Sequence, residues 1–353
     1  MPNASLIGWG HYAPDTVVTN DDLAQIVDTS DEWIRTRSGI ERRHFVSEDQ
    51  ATSDLCVEAA NRAIATAGID PKEIDLVLVA TSSPDELTPP VSSRVQHRIG
   101  ADCGAMTLMV GCTGFVYGLV TASQFIQTGA YRTVLVVGAE VISKNLDMTD
   151  RTTCVLFGDG AGAVVLQASE ADCGVRAFEL GSDGSEADAL IAPCPGTRQP
   201  VSQKAVDNRT HYLRMDGRAV FKFATRTMGE SLGRVMEKAG AGVEDIDLFI
   251  PHQANARIIE YAAKSMGLPP EKVVMNVADY GNTSAATIPI ALSEALDAGR
   301  ARPGDTLAFV GFGAGLTWAA CLLDLGPLRA DAPADAAHVQ SGADGGIVEG
   351  LIA

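Results

Sequence analysis

Four stretches of this 353-residue chain place reactive side chains or open backbone where a fold could gather them. Cys112 lies in Gly111-Cys112-Thr113-Gly114-Phe115, directly ahead of the apolar, helix-forming run FVYGLVTASQFIQ. A thiol at a buried helix start faces unpaired N–H groups and the positive end of the helix dipole. Both favour thiolate, so a lowered pKa and a nucleophilic role are expected. The competing reading is a small buried hydrophobe, which is what most free cysteines are. His252 follows the apolar run IDLFI, in Pro251-His252-Gln253-Ala254-Asn255. That is the carboxyl end of a buried parallel strand, where ligands bind. A lone histidine is more often structural, so His252 needs partners. Asn282, in Tyr280-Gly281-Asn282-Thr283-Ser284-Ala285-Ala286, supplies either an amide donor or a helix N-cap. Gly311-Phe312-Gly313-Ala314-Gly315 follows TLAFV and could offer backbone N–H groups to an oxyanion.

The elements that must position these groups are visible as apolar runs at 74–81 (IDLVLVAT), 133–140 (TVLVVGAE), 246–250 (IDLFI) and 306–310 (TLAFV). They alternate with alanine-rich helical stretches, the pattern of buried parallel strands in an α/β protein. The chain also repeats itself. ATAGIDPKEIDLVLVA at 65–80 matches EKAGAGVEDIDLFIPH at 237–252, pairing Ile74 with Ile246 at an offset of 172. The same offset pairs Leu135 with Leu307 and carries Cys112 onto Ser284, two residues after Asn282. Two similar halves are expected, 1–170 and 171–326, with the Cys112 and Asn282 loops converging between them. The Ala-, Asp-, Gly- and Pro-rich residues 327–353 read as a mobile tail.

Several function classes fall away. Lys and Arg total 27 against 45 for Asp and Glu, a formal net charge of −18, which opposes nucleic-acid binding. No apolar run approaches the ~18 residues that span a bilayer, and MPNASLIGWG lacks the basic and apolar regions of a secretory signal. Seven scattered cysteines with no CxxC pair argue against a disulfide framework or a zinc site, and for reduced thiols in the cytoplasm. Gly158-Asp159-Gly160-Ala161-Gly162 leads into apolar AVVL, a strand, so no helix N-terminus awaits a phosphate there.

Taken together, GCTGF around Cys112, HQANARII from His252, GNTSAA around Asn282 and the late GFGAGLTW resemble the β-ketoacyl-acyl carrier protein synthase III family of the thiolase-like superfamily. DEWI at 31–34, RSGI at 37–40 and FGDGAGAVV at 157–165 resemble further family signatures, in the same order, over about residues 4–325. The resemblance implies a duplicated five-layer α-β-α-β-α fold and a homodimer. It also implies a catalytic Cys112–His252–Asn282 set served by acyl-CoA and acyl carrier protein, with no metal or redox cofactor. Asn as the third member selects priming synthases or chalcone-type enzymes over elongating synthases, thiolases and hydroxymethylglutaryl-CoA synthases. The GNTSAA context and the N-terminal signature favour the priming synthases.

By the same resemblance, Cys112 takes an acyl group from coenzyme A, and the N–H groups of Cys112 and Ala314 form the oxyanion hole. His252 and Asn282 hold the enolate left when malonyl-carrier protein loses CO2. Trp33 and Arg151 match the pair that sandwiches the adenine of coenzyme A, and Arg37 meets its phosphates. Thr88 and Phe312 fall in the substrate pocket, where Thr88 replaces a family Phe and would admit longer or branched primers. Thr107 stands where the family usually has Asp, and Thr113 where it has Ala or Ser. Two other readings keep the fold: a non-condensing acyltransferase, and a catalytically silent partner subunit.

The acidic balance bears on the partner, because carrier proteins are themselves acidic. Residues 211–234 contain Arg214, Arg218, Lys222, Arg226 and Arg234 against Asp216 and Glu230. On a helix Arg218, Lys222 and Arg226 form one stripe. Arg257 matches the family's carrier-protein dock, and Lys264 would extend the patch.

Overall fold

The computed structural model describes residues 1–328, so the tail expected at 327–353 lies almost wholly outside the described residues. The first half runs β1 (Asn3–Tyr12), β2 (Thr16–Thr19), α1 (Asn20–Ala24), α2 (Asp31–Ser38), β3 (Arg42–Phe45), α3 (Thr52–Ala67), β4 (Leu76–Ala80), α4 (Val91–Arg98), β5 (Gly104–Leu108), α5 (Gly114–Gln127), β6 (Thr133–Glu140) and β7 (Gly160–Ser169). The second runs β8 (Gly174–Ser182), β9 (Leu190–Ile191), α6 (Gln203–Asp207), β10 (Arg214–Met215), α7 (Gly217–Ala239), β11 (Leu248–Pro251), α8 (Ala256–Met266), α9 (Val277–Tyr280), α10 (Thr287–Asp297), β12 (Thr306–Gly313) and β13 (Thr317–Asp324).

Two sheets result, ordered β1-β7-β6-β4-β5 and β11-β12-β13-β8. The apolar runs read as parallel strands do pair in parallel, β4 with both β5 and β6, and β11 with β12. Both faces of β4, β6, β11 and β12 are buried, which is why their sequences do not alternate with polar residues. Leu76, Leu78, Val134 and Val136 face a core that contains α5 and α10. Val77, Val79, Leu135 and Val137 face α3 and α4 on the other side. In the second sheet Leu307 and Phe309 join the same central core, while Ala308 and Val310 pack against α7 and α8. The layers are therefore helix, sheet, helix, sheet, helix, and α5 and α10 form the shared middle layer.

The offset of 172 holds in three dimensions. It carries Leu76, which opens β4, onto Leu248, which opens β11. It also carries Gly68, the left-handed cap of α3, onto Gly240, the left-handed cap of α7. The 3-10 turn Gly111–Thr113 before α5 has its counterpart, one residue beyond that register, in Ser284–Ala286 before α10. These two turns begin the two central helices, so duplication brings the Cys112 and Asn282 loops to one place. No helix among the described residues is long and apolar enough to cross a membrane.

Candidate active site

Cys112 sits in the 3-10 turn that leads into α5 and is 6% exposed. Gly111 holds φ 58°, a left-handed conformation that a side chain would strain. The end of β12 presses on the same turn. A Cβ placed on Gly313 would lie 2.7 Å from the Cys112 nitrogen, and one on Gly111 would lie 3.1 Å from the Ala314 nitrogen. The backbones of the two expected oxyanion donors are thus in close contact. A 3-10 turn leaves its first N–H groups without an internal acceptor, which suits Cys112 to that task.

The expected lowering of the Cys112 pKa is corrected by the structure. Burial pushes the thiol up to about 12, against the help of the Ser284 hydroxyl, and the Glu140 carboxylate adds to the rise. Desolvation wins because the turn is enclosed between α5, β12 and the Asn282 loop, where an anion loses its water.

His252 directly follows β11 and is 1% exposed, its N–H donating to the Val310 carbonyl at 2.8 Å. Its Nδ1 lies 2.6 Å from Thr287 Oγ1, which also lies 3.0 Å from the Ser284 carbonyl. The one Thr287 hydrogen serves either acceptor: given to the carbonyl, it leaves Nδ1 as the donor and a lone pair on Nε2; given to Nδ1, it leaves the ring hydrogen on Nε2. Burial holds the imidazole down to about 3, so the ring is neutral at physiological pH. Phe312 meets it edge to face, with centroids 5.1 Å apart.

Asn282 is 7% exposed and is held by backbone on both sides. Its N–H donates to the Leu156 carbonyl at 2.8 Å, and its own carbonyl accepts from Gly158 at 3.1 Å. Its side-chain Oδ1 accepts from the Ser284 N–H at 2.9 Å, which orients the amide and leaves Nδ2 as its donor end. The N-cap reading is thereby set aside, because the bond serves a turn and not α10.

A cavity of about 370 Å³ is lined by Cys112, His252, Asn282 and Phe312, and also by Trp33, Arg37, Arg151 and Arg257. The guanidinium carbons of Arg37 and Arg151 lie 4.4 and 5.2 Å from the Trp33 ring centre. Thr88 is not part of it. It is exposed on the loop before α4, in which Ser83 is tied to Glu140 and Asp85 to Ser53. Arg218 and Lys222 are exposed near the start of α7 but outside the lining, whereas Phe221 between them and Arg257 beside it are inside.

Sequence reasoning overlooked Glu140 and Thr287, and named Ser284 only as the counterpart of Cys112. The available signal for Glu140 was a carboxylate closing an otherwise apolar strand, TVLVVGAE. Among the described residues no group of His, Cys, Asp and Glu is placed to hold a metal ion.

The family model for 3-oxoacyl-[acyl-carrier-protein] synthase III matches residues 106–184, and the model of that family's C-terminal part matches residues 236–325. The β-ketoacyl-[acyl-carrier-protein] synthase III of Desulfitobacterium hafniense is 48% identical over 324 residues, 92% of this chain and 98% of its own. The solved synthase III of Thermus thermophilus superposes with a TM-score of 0.86 at 46% identity, covering 91% of this chain and 99% of that one. The priming β-ketosynthase of the R1128 polyketide pathway superposes with a TM-score of 0.83 at 34% identity, over 92% and 97%.

Proposed function

The chain belongs to the 3-oxoacyl-[acyl-carrier-protein] synthase III family, and from that premise we propose that it is an enzyme joining an acyl group from coenzyme A to malonyl-acyl carrier protein with loss of CO2. The observation that carries this reading is the meeting of a thiol, a neutral imidazole and an oriented amide donor in one cavity.

At rest both Cys112 and His252 are neutral. As Cys112 Sγ attacks the acyl-CoA carbonyl, its proton passes to His252 Nε2, and the N–H groups of Cys112 and Ala314 hold the developing oxyanion. The carbon–sulfur bond to coenzyme A then breaks, and the departing sulfur takes the proton away as the free thiol. Malonyl-carrier protein next loses CO2, and its thioester oxygen becomes an enolate. Asn282 Nδ2 donates to that oxygen, and so does His252 from Nε2, with the one proton that decarboxylative condensation takes up from solvent. Both bonds are strongest after decarboxylation, so they lower the barrier and not merely the KM. The enolate carbon then attacks the acyl-Cys112 carbonyl and expels the sulfur, which takes that proton and returns as the Cys112 thiol. These steps call on no metal and no redox cofactor.

Trp33, Arg37 and Arg151 are the coenzyme A end of the site. An adenine stacked between Trp33 and Arg151 needs about 7 Å between them, two stacking contacts of ~3.5 Å, so from 5.2 Å the guanidinium must withdraw by about 2 Å. Arg218, Lys222 and Arg257 form the carrier-protein dock at the cavity mouth.

The active form is a homodimer. In support, β5 is an open edge of the first sheet whose Ala105, Met106 and Leu108 stay only half-buried. Met109 is 63% exposed and Leu87 75% exposed. The Ser92 N–H donates to Thr107 Oγ1, which sets the 87–90 segment beside the same edge. An apolar unpaired edge invites a second strand, and a substrate-pocket role for Thr88 then requires the other copy.

Mass spectrometry after incubation with mixed acyl-CoAs, followed by malonyl-carrier protein, tests the whole reading. Acylation of Cys112 and then release of CO2 are expected. Asn282→Ala should keep the first and lose the second by roughly 10²–10³-fold. An acyl mass that persists in Cys112→Ala would sink the assignment, and transfer without CO2 would reduce it to simple acyl transfer.

A further inference from the structure

His252 and Asn282 lie on separate loops, and a run of hydrogen bonds that the steps above do not use joins one loop to the other. It starts at Gln253, next to His252 and 1% exposed. Gln253 Nε2 donates to the Pro251 carbonyl at 2.8 Å and to the Val274 carbonyl at 3.1 Å. Its Oε1 accepts from the Asn276 N–H at 3.0 Å, so this one amide fastens the end of β11 to residues 274–276. From there Asn276 Nδ2 donates to Glu294 Oε2 at 2.7 Å, and the Tyr280 hydroxyl donates to Glu294 Oε1 at 2.7 Å. Asn276 precedes α9 and Tyr280 ends it. A single side chain on α10 therefore holds both ends of the segment that leads to Asn282.

The packing passes a shift of Tyr280 on to Asn282, two residues later, and does not absorb it. A Cβ on Gly158 would lie 2.4 Å from the Tyr280 carbonyl oxygen, and one on Gly281 would lie 3.0 Å from the Leu156 carbonyl oxygen. The Tyr280 ring is stacked on His44, with centroids 5.5 Å apart. On the same helix Thr287 Oγ1 lies 2.6 Å from His252 Nδ1. Glu294 follows Thr287 by seven residues, about two turns, so both project from one face of α10. That face meets His252 at its start and the approach to Asn282 two turns on.

We propose that Glu294 is a positioning residue that sets the spacing of His252 and Asn282 by bridging Asn276 and Tyr280. One enolate oxygen must receive a donor from each loop, so the loops have to keep a single separation. An error in it weakens both bonds where decarboxylation needs them. Glu294 is half-buried and outside the cavity lining, so it acts on substrate only through the two loops. Acylation of Cys112 calls on His252 and on backbone N–H groups, but not on Asn282. His252 also has anchors of its own, the Val310 carbonyl and Thr287. Loss of the bridge therefore falls on CO2 release and spares acylation.

This role rests on the condensing reaction proposed above, but it is read first without any substrate. In the full chain labelled with 15N-asparagine, the Asn282 side-chain amide signal is identified by its loss in Asn282→Ala. Glu294→Leu keeps the bulk and removes both hydrogen bonds, so that signal should move. Glu294→Gln should leave it in place, because a Gln amide can accept from Asn276 and donate to the Tyr280 oxygen. In the half-reactions, Glu294→Leu should slow CO2 release from malonyl-carrier protein at least about tenfold and leave acylation of Cys112 unchanged. Glu294→Gln should restore CO2 release. An unmoved signal in Glu294→Leu, equal loss in both half-reactions, or a Gln variant as slow as the Leu variant overturns the proposal. If Glu294→Leu does not fold, Tyr280→Phe decides, since it removes one arm of the bridge and keeps the ring on His44. A parent protein that releases no CO2 defeats the condensing reading, while the amide signal still decides the role of Glu294.

Discussion

His252 combines full burial with a depressed pKa, and this has a consequence for stability. Its folded pKa of about 3 lies below the usual 6.5, so the unfolded chain binds a proton that the folded one resists. The contribution is complete above pH 6.5 and is lost as pH falls toward 3, by about 1.4 kcal/mol per pH unit. Urea midpoints measured from pH 7 down to pH 4 should therefore fall more steeply for the parent than for His252→Gln. Parallel curves would show that the ring is not enclosed as the structure has it. Residue by residue, the three groups of the site were legible because each carries a local mark: a glycine-flanked turn before a helix, the end of an apolar strand, a loop at the repeat offset. The state of their protons was not legible. It depends on Thr287, Ser284 and Glu140, whose contact with Cys112, His252 and Asn282 is made by folding.

At the scale of elements, the end of β12 and the turn before α5 behave as one unit. Gly313→Ala would put a methyl 2.7 Å from the Cys112 nitrogen and 3.0 Å from its Cβ, neither of which can yield without moving the nucleophile. Acylation should fall at least about 100-fold, as misplacement by an ångström does, while the thermal transition survives. Gly233→Ala in α7 is the control, because its added methyl meets nothing within 4 Å. It should leave activity alone and stabilise the helix by about 1 kcal/mol, read as a higher Tm. Equal damage from both variants would refute the close approach. The parallel pairing was foreseeable from unbroken apolar runs, and the middle layer from the repeat. The thiol's pKa was misjudged because the helix-end argument sees one element. The opposing desolvation comes from several.

For the whole molecule, the charge of −18 coexists with exposed Arg218, Lys222 and Arg226 on one stretch of α7. Arg257 lines the cavity against Phe221, so a change there would disturb both substrates. Arg218→Glu with Lys222→Glu should raise the KM for carrier protein several-fold, more at low salt, and leave acylation by acyl-CoA unchanged. Equal loss in both half-reactions would remove the dock from this helix. At the other side of the molecule, Met109→Asp on the β5 edge should shift the sedimenting species from two chains to one. A monomeric parent protein would remove the second copy from the proposal.

The sequence by itself determined the α/β alternation, the duplication and the three residues that meet in the cavity. These rest on periodicity and on short motifs, which the neighbours along the chain specify. The tertiary structure decided that Cys112 rests as a thiol, that His252 is an enclosed, neutral imidazole against Thr287, and that a buried carboxylate stands behind Ser284. It also placed Thr88 outside the cavity of its own chain. The physical reason is common to all four. Desolvation and hydrogen-bond direction are set by groups distant in sequence, such as Glu140 beside Ser284, and no local pattern records which of them folding will bring together.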